Sequence, residues 1–126
     1  MLLFKKKFIE QIKSGEKTQT IRLWKYCRMK PGQRSYTTGV GYIRIDSIER
    51  VELEQLTDAD AIPDGFPTAD ALREELCALY GADALKRLRL YIVRFSVCTP
   101  CEQERIKKKR ADEESRRKLV RYLDFM

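Results

Sequence analysis

The chain switches repeatedly between two hydrophobic periods. It opens with Leu2-Leu3-Phe4, three apolar residues in a row, which reads as a short buried strand. From Lys5 to Ser14 the period lengthens. Phe8, Ile9 and Ile12 share one face and the lysines another, which predicts an amphipathic helix. Gly15 is the residue type that ends such a helix. Thr18 to Leu23, β-branched at 18, 20 and 21, predicts a strand. Lys30-Pro31-Gly32-Gln33 predicts a turn, and Gly39 and Gly41 mark another bend. Tyr42 to Leu53 reads as a long strand or two strands with a bulge. Ile43 and Ile45 alternate, as do Val51 and Leu53, but Ile48 breaks the parity between them.

The second half reads as helices and a closing strand. Thr57 is placed to cap a short helix, and Ile62-Pro63-Asp64-Gly65-Phe66-Pro67 interrupts it. Thr68 caps a second helix reaching Tyr80, with an apolar stripe of Leu72, Leu76 and Leu79, and Gly81 stops it. Leu88 to Val97, LRLYIVRFSV, is a strong strand. This order predicts an α+β fold of five or six short strands with flanking helices. The sheet is expected to curl into a small barrel, because so many short strands need their edges protected.

Residues 1–97 are expected to form that domain, and 98–126 a turn and a C-terminal helix. The tail, EQERIKKKRADEESRRKLVRYLDFM, has no Gly or Pro. Its apolar cluster is Leu119, Val120, Tyr122, Leu123, Phe125 and Met126. Its last turns are expected to dock on the barrel, on a protein partner or on a second copy. The run Ile106-Lys107-Lys108-Lys109-Arg110 reads as a solvated face or a phosphate contact.

Composition narrows the chemistry. The 126 residues, 43% apolar, suit one domain with one core. No apolar run approaches the roughly 20 residues of a membrane span, and MLLFKKKF has too short an apolar part for a signal peptide. A cytoplasmic protein without membrane attachment is expected, so Cys27, Cys77, Cys98 and Cys101 are expected to stay unbridged. There is no His, which removes the imidazole base and every His-containing metal site. Cys98-Thr99-Pro100-Cys101 supplies two thiolates where structural zinc needs four ligands. Placed before a helix, it would lower the first thiol's pKa, but without a βαβ context it reads as a turn. No metal or cofactor is expected.

The net charge of +7 is uneven. Residues 1–50 carry 12 Lys/Arg against 4 Asp/Glu, and residues 51–101 carry 5 against 9. A basic N-terminal half suits a polyanion such as RNA, and serves solubility equally. Trp24, Tyr26, Tyr36 and Tyr42 lie among Lys25, Arg28, Lys30, Arg34 and Arg44, a mixture suited to base stacking with phosphate contacts. Trp24 is equally suited to the core, whereas Tyr36, in a turn-rich stretch, is expected to be partly exposed.

The chemistry concentrates in Gly15-Glu16-Lys17-Thr18-Gln19-Thr20-Ile21-Arg22. Thr20 and Arg22 share a strand face, and Lys17 at the corner can lean over it. A Thr hydroxyl needs a base to become a nucleophile. Lysine can serve once burial and a neighbouring cation lower its pKa. A carboxylate brought close by the fold would be its partner. It can hold the Lys17 amine, bind a ligand's amino edge, or simply form a stabilising ion pair. The Asp64-Gly65-Phe66 turn also has a structural use, with Asp64 capping it and Phe66 plugging the core.

The octapeptide resembles the G-x-K-x-x-T-x-R signature of the ASCH domain family. LEQLTDADAIPDGFPTADALREELCALYG resembles that family's helical segment, and RLYIVRFSV its closing strand. The resemblance covers about residues 1–97 and leaves the tail outside. It implies a PUA-like barrel with a cleft that binds RNA or a modified nucleoside. It implies ligand contacts from the signature residues Lys17, Thr18, Thr20 and Arg22, to which Trp24, Lys25, Arg28 and Tyr36 are expected to add stacking and phosphate contacts. Some similar proteins are amidohydrolases that deacetylate acetylated cytidine, and ribonuclease activity has been attributed to others. The amidohydrolases act through the positions matching Lys17 and Thr20 with a carboxylate from the helical segment. That position aligns with Asp64, where those enzymes carry Glu.

Overall fold

A computed structural model describes the backbone of residues 2–125 and the side chains of residues 2–123. Four strands form one curled antiparallel sheet, a half-barrel. They are β1 (Gln19–Trp24), β2 (Arg34–Thr37), β3 (Gly41–Val51) and β4 (Arg89–Val97), in the order β1-β4-β3-β2. The α+β class is as expected, with four strands in place of five or six.

β4 lies inside the sheet, and its unbroken apolar run reflects burial on both faces. Leu90 and Ile92 join Ile21 and Leu23 of β1 against Leu72 and Leu76 of α3 (Ala69–Tyr80). Val93 and Phe95 join Ile43 and Ile45 of β3 against Leu2 and Ile12, the latter on α1 (Ile9–Ser14). These two cores resolve the parity of β3. A bulge at Asp46 keeps Ile48 in the core of Ile43 and Ile45, while Val51 turns to the opposite one.

Residues 2–4 do not form the expected strand. Leu2 is buried, Leu3 is exposed, and side chains hold the segment in place of a ladder. Leu2 N–H donates to Ser35 Oγ at 3.3 Å, and Thr37 Oγ1 donates to the Leu2 carbonyl at 3.4 Å. Arg22 Nη2 donates to the Leu3 carbonyl at 2.6 Å. The segment thus links the edge strands β2 and β1, covering the edges that a fifth strand would have paired.

Thr57 caps α2 (Asp58–Ala61) and Thr68 caps α3, each hydroxyl accepting an N–H one turn on. Gly81 ends α3, but a further helix, α4 (Ala82–Arg87), follows where none was expected. Leu79, assigned to the α3 stripe, is half exposed: it lines a cavity, and Tyr80 packs against the core instead.

The tail is a single helix, α5 (Pro100–Phe125). Its first turns dock, not its last. Gln103 Oε1 accepts from Tyr42 N–H at 3.0 Å, Gln103 Nε2 donates to the Cys98 carbonyl at 3.2 Å, and the Arg110 guanidinium lies 5.0 Å from the centre of the Tyr42 ring. Leu119, Val120, Tyr122 and Leu123 are all more than half exposed. A helix leaving the end of β4 rises 1.5 Å per residue, so Leu119 stands roughly 30 Å from its start. The side chain of Phe125 and the whole of Met126, assigned to the same cluster, lie outside the described residues.

Cys98 is buried and Cys101 exposed. Burial first, and Glu102 second, push the Cys98 thiol pKa up, reversing the lowering expected before a helix. Among the described residues no His, Cys, Asp or Glu side chains group as a metal site, and no helix is long and apolar enough to cross a membrane.

Candidate functional site

The octapeptide organises the site through its backbone. Gly15 closes α1 in the left-handed conformation, φ 85°, and turns the chain toward β1. Lys17 N–H then donates to the Gln11 carbonyl at 3.0 Å, and Thr18 N–H to the Pro63 carbonyl at 2.9 Å. The Gln19 side chain donates to the Asp60 carbonyl. The turn over Ile62–Asp64 is thereby pinned against the start of β1, which brings Asp64 to Lys17 across 47 positions of sequence.

Both side chains are nearly sealed from solvent, Lys17 at 3% exposure and Asp64 at 6%. Lys17 Nζ donates to the Asp64 main-chain carbonyl, lies 3.4 Å from Oδ2, and sits 4.5 Å from the centre of the Phe8 ring. Asp64 Oδ1 is buried and, among the described residues, has no hydrogen-bond partner. Burial raises the Asp64 pKa to about 6, against the opposing pull of Lys17 and Arg22. Burial also lowers the Lys17 pKa, helped by Arg22 and Lys7 and opposed by Asp64. Each member of the pair is thus displaced toward its neutral form, and desolvation is the larger cause for both.

Thr20 and Arg22 project from one face of β1. Arg22 Nε donates to Thr20 Oγ1 at 3.0 Å, and the guanidinium lies 5.0 Å from the centre of the Phe4 ring. Burial lowers the Arg22 pKa, with Tyr80 and Asp64 opposing. Lys17, Thr20, Arg22 and Asp64 all line one cavity of about 100 Å³. Its apolar wall includes Phe4, Phe8, Phe66 and Tyr80, and Lys5 pairs with Glu75 at 3.1 Å on its lining.

The other candidate residues are distributed differently. Thr18 acts through its backbone, and its side chain is exposed away from the cavity lining. Trp24 is half buried, 5.7 Å from the Tyr91 ring, and lines a separate surface depression with Lys25, Tyr26 and Arg28. Arg22 belongs to both the cavity and that depression. Tyr36 is 41% exposed but sits on β2, the opposite edge strand, and lines neither.

Sequence reasoning missed the aromatic wall and the Lys5–Glu75 pair. Phe4 and Phe8, one helical turn apart, were a usable signal. Phe66, expected as a core plug, is half buried and faces Phe8 with ring centres 6.1 Å apart. The Lys5–Glu75 pair joins residues 70 apart and had no local signal.

Neither a protein-family model nor a curated protein sequence matches the chain. Solved structures do match its shape. A crystal structure of hypothetical protein PH0355 superposes with a TM-score of 0.67 at 17% identity, covering 76% of this chain and 95% of that one. An ASCH domain from Lactobacillus crispatus JV V101 gives 0.60 at 16% identity, covering 71% and 69%. Protein EF3133 from Enterococcus faecalis V583 gives 0.58 at 19% identity, covering 72% and 69%. The chain therefore has an ASCH-like fold.

Proposed function

We propose that the cavity on this ASCH-like fold binds the base of a nucleoside or of an RNA strand. The observation that carries the reading is the convergence of Lys17, Thr20, Arg22 and Asp64 on one cavity, where Asp64 Oδ1 is a buried acceptor with no partner among the described residues. A buried polar atom left unpaired costs about 1–3 kcal/mol, and a ligand N–H would recover that cost. The aromatic wall supplies stacking surface. Arg22, shared with the depression of Lys25 and Arg28, would lead the ligand's phosphate outward onto cations. Calorimetric titration with free nucleosides and a short RNA tests the reading. Thr20→Val and Arg22→Ala are each expected to weaken nucleoside binding at least tenfold. Unchanged binding in both variants sinks it.

A second reading is turnover, favoured by one arrangement. Arg22 donates to Thr20 Oγ1, which leaves the hydroxyl proton of Thr20 available to a base. The Lys17 amine stands on the same cavity wall, and burial lowers its pKa in the direction a base needs. The amidohydrolase reading predicts acetate release from acetylated cytidine, abolished by Lys17→Ala or Thr20→Ala. Intact substrate after incubation with enzyme that binds it rules this out.

A further inference from the structure

The opposite edge of the sheet carries a second basic surface that the cavity does not use. Arg34 on β2 and Arg105, Lys109 and Arg110 on the first turns of α5 line a groove of about 510 Å³. Glu102 and Glu113 share it, so cations outnumber acids four to two. Among the described residues none of these four cations is in an ion pair. Lys107 and Lys118, which line no part of the groove, do pair, with Glu104 and Glu114. Among the described residues Lys108, Arg116 and Arg117 of the helix are unpaired as well, so what sets the groove apart is that its cations gather with Arg34 at β2.

An aromatic surface stands beside them. Tyr36 follows Arg34 on the same face of β2, since Ser35 and Thr37 turn inward. Its ring meets Tyr42 edge-on at 5.4 Å, and Tyr42 in turn lies beneath Arg110. Tyr42 is buried by these neighbours while Tyr36 stays open. Cations that lack partners attract a polyanion, and an open ring beside them offers stacking to a base that is not already stacked in a duplex.

We propose that this groove between β2 and α5 binds single-stranded nucleic acid. Arg34, Lys109 and Arg110 take the phosphates and Tyr36 stacks a base. The site stands independently of the Lys17 cavity, and a strand long enough to reach both would be held at both edges of the sheet.

Fluorescence anisotropy with a labelled, mixed-sequence single-stranded RNA, from about 50 to about 200 mM salt, tests it. Replacing Arg34, Lys109 and Arg110 together by Ala is expected to weaken binding at least tenfold at the lower salt. The same variant should reduce the slope of log affinity against log salt by about 2, near 0.7 for each of three lost phosphate contacts. Tyr36→Ala is expected to weaken binding severalfold with the slope unchanged. A free nucleoside has no phosphate and reads only the cavity, so its binding should not change in either variant. Failure of the cavity and failure of the groove are thereby separable. Unchanged affinity and slope in the triple variant overturn the proposal. So does tighter binding of duplex than of single strand, or equal binding of heparin with Tyr36→Ala without effect.

Discussion

At Asp64 burial and pairing oppose each other, and burial prevails. Its pKa of about 6 stands above the ordinary 3.8, so the folded chain holds the proton more tightly than the unfolded chain between those values. Stability fully present below about pH 4 is therefore lost as pH rises to about 6. Asn at this position resembles the protonated acid and cannot ionise. Asp64→Asn is expected to flatten that pH dependence and to raise stability at pH 7 by up to roughly 3 kcal/mol, the shift converted at 1.36 kcal/mol per unit. It should weaken nucleoside binding at the same time, since the charged acceptor is gone. Urea midpoints at pH 4 and pH 7 decide it, and a variant as pH-sensitive as its parent contradicts the assignment. Lys17→Met is the complementary change. It removes both influences of Lys17 that hold the Asp64 pKa down, so the carboxyl should titrate above 6 by carbon-detected NMR. At this scale the partnership was legible only through the family resemblance, which aligned Asp64 with a carboxylate position; nothing local singled it out among the other acids of residues 1–97. The unpartnered Oδ1 was not, because burial belongs to neighbours that only packing assembles.

Elements whose ends carry their own chemistry were the most legible. Gly15, Thr57 and Thr68 each act as their residue type predicts, because a cap is settled within a few residues. Elements defined by distant partners were not. The Leu2–Phe4 segment reads as a strand but is held by Ser35, Thr37 and Arg22. α4 was missed because Gly81, which ends α3, also starts a short helix with no side-chain cap. Two left-handed glycines show how an element's end reaches the site. Gly15 has open space where a Cβ would stand, whereas a Cβ on Gly65, φ 95°, would lie 2.7 Å from Gln11 Oε1. Alanine at either costs about 1–2 kcal/mol for the left-handed backbone. Gly65→Ala must also shift the far end of the Gln11 side chain, and it strains the turn that carries Asp64. Gly65→Ala is therefore expected to cost more stability than Gly15→Ala and to weaken nucleoside binding, which Gly15→Ala should spare. Thermal melts and the same calorimetric titration compare them. Equal effects would mean that the 62–65 turn does not position Asp64.

Across the whole molecule the tail divides into an anchored part and a projecting one. Sequence reasoning offered the last turns to a partner chain or to the barrel, and so placed any barrel anchor there, because the apolar residues are there. The structure places it at the first turns, where Gln103 and Arg110 hold Tyr42 by a hydrogen bond and a cation over a ring. Hydropathy does not register anchors of that kind. The division can be tested by truncation. Deleting residues 115–126 removes the exposed Leu119, Val120, Tyr122 and Leu123 and leaves every groove residue in place. Such surface material contributes little, so stability should stay within about 0.5 kcal/mol, with nucleoside and single-strand binding both retained. Deleting residues 100–126 uncovers Tyr42 and takes away the acceptor of its N–H. That should cost at least the net worth of the lost hydrogen bond, about 0.5–1.5 kcal/mol, and remove strand binding at β2, while the Lys17 cavity still takes a free nucleoside. Urea denaturation with the two binding assays on both truncations checks it. If the shorter deletion were the damaging one, the last turns would be the part that docks, and the groove would lose its claim to an anchored wall.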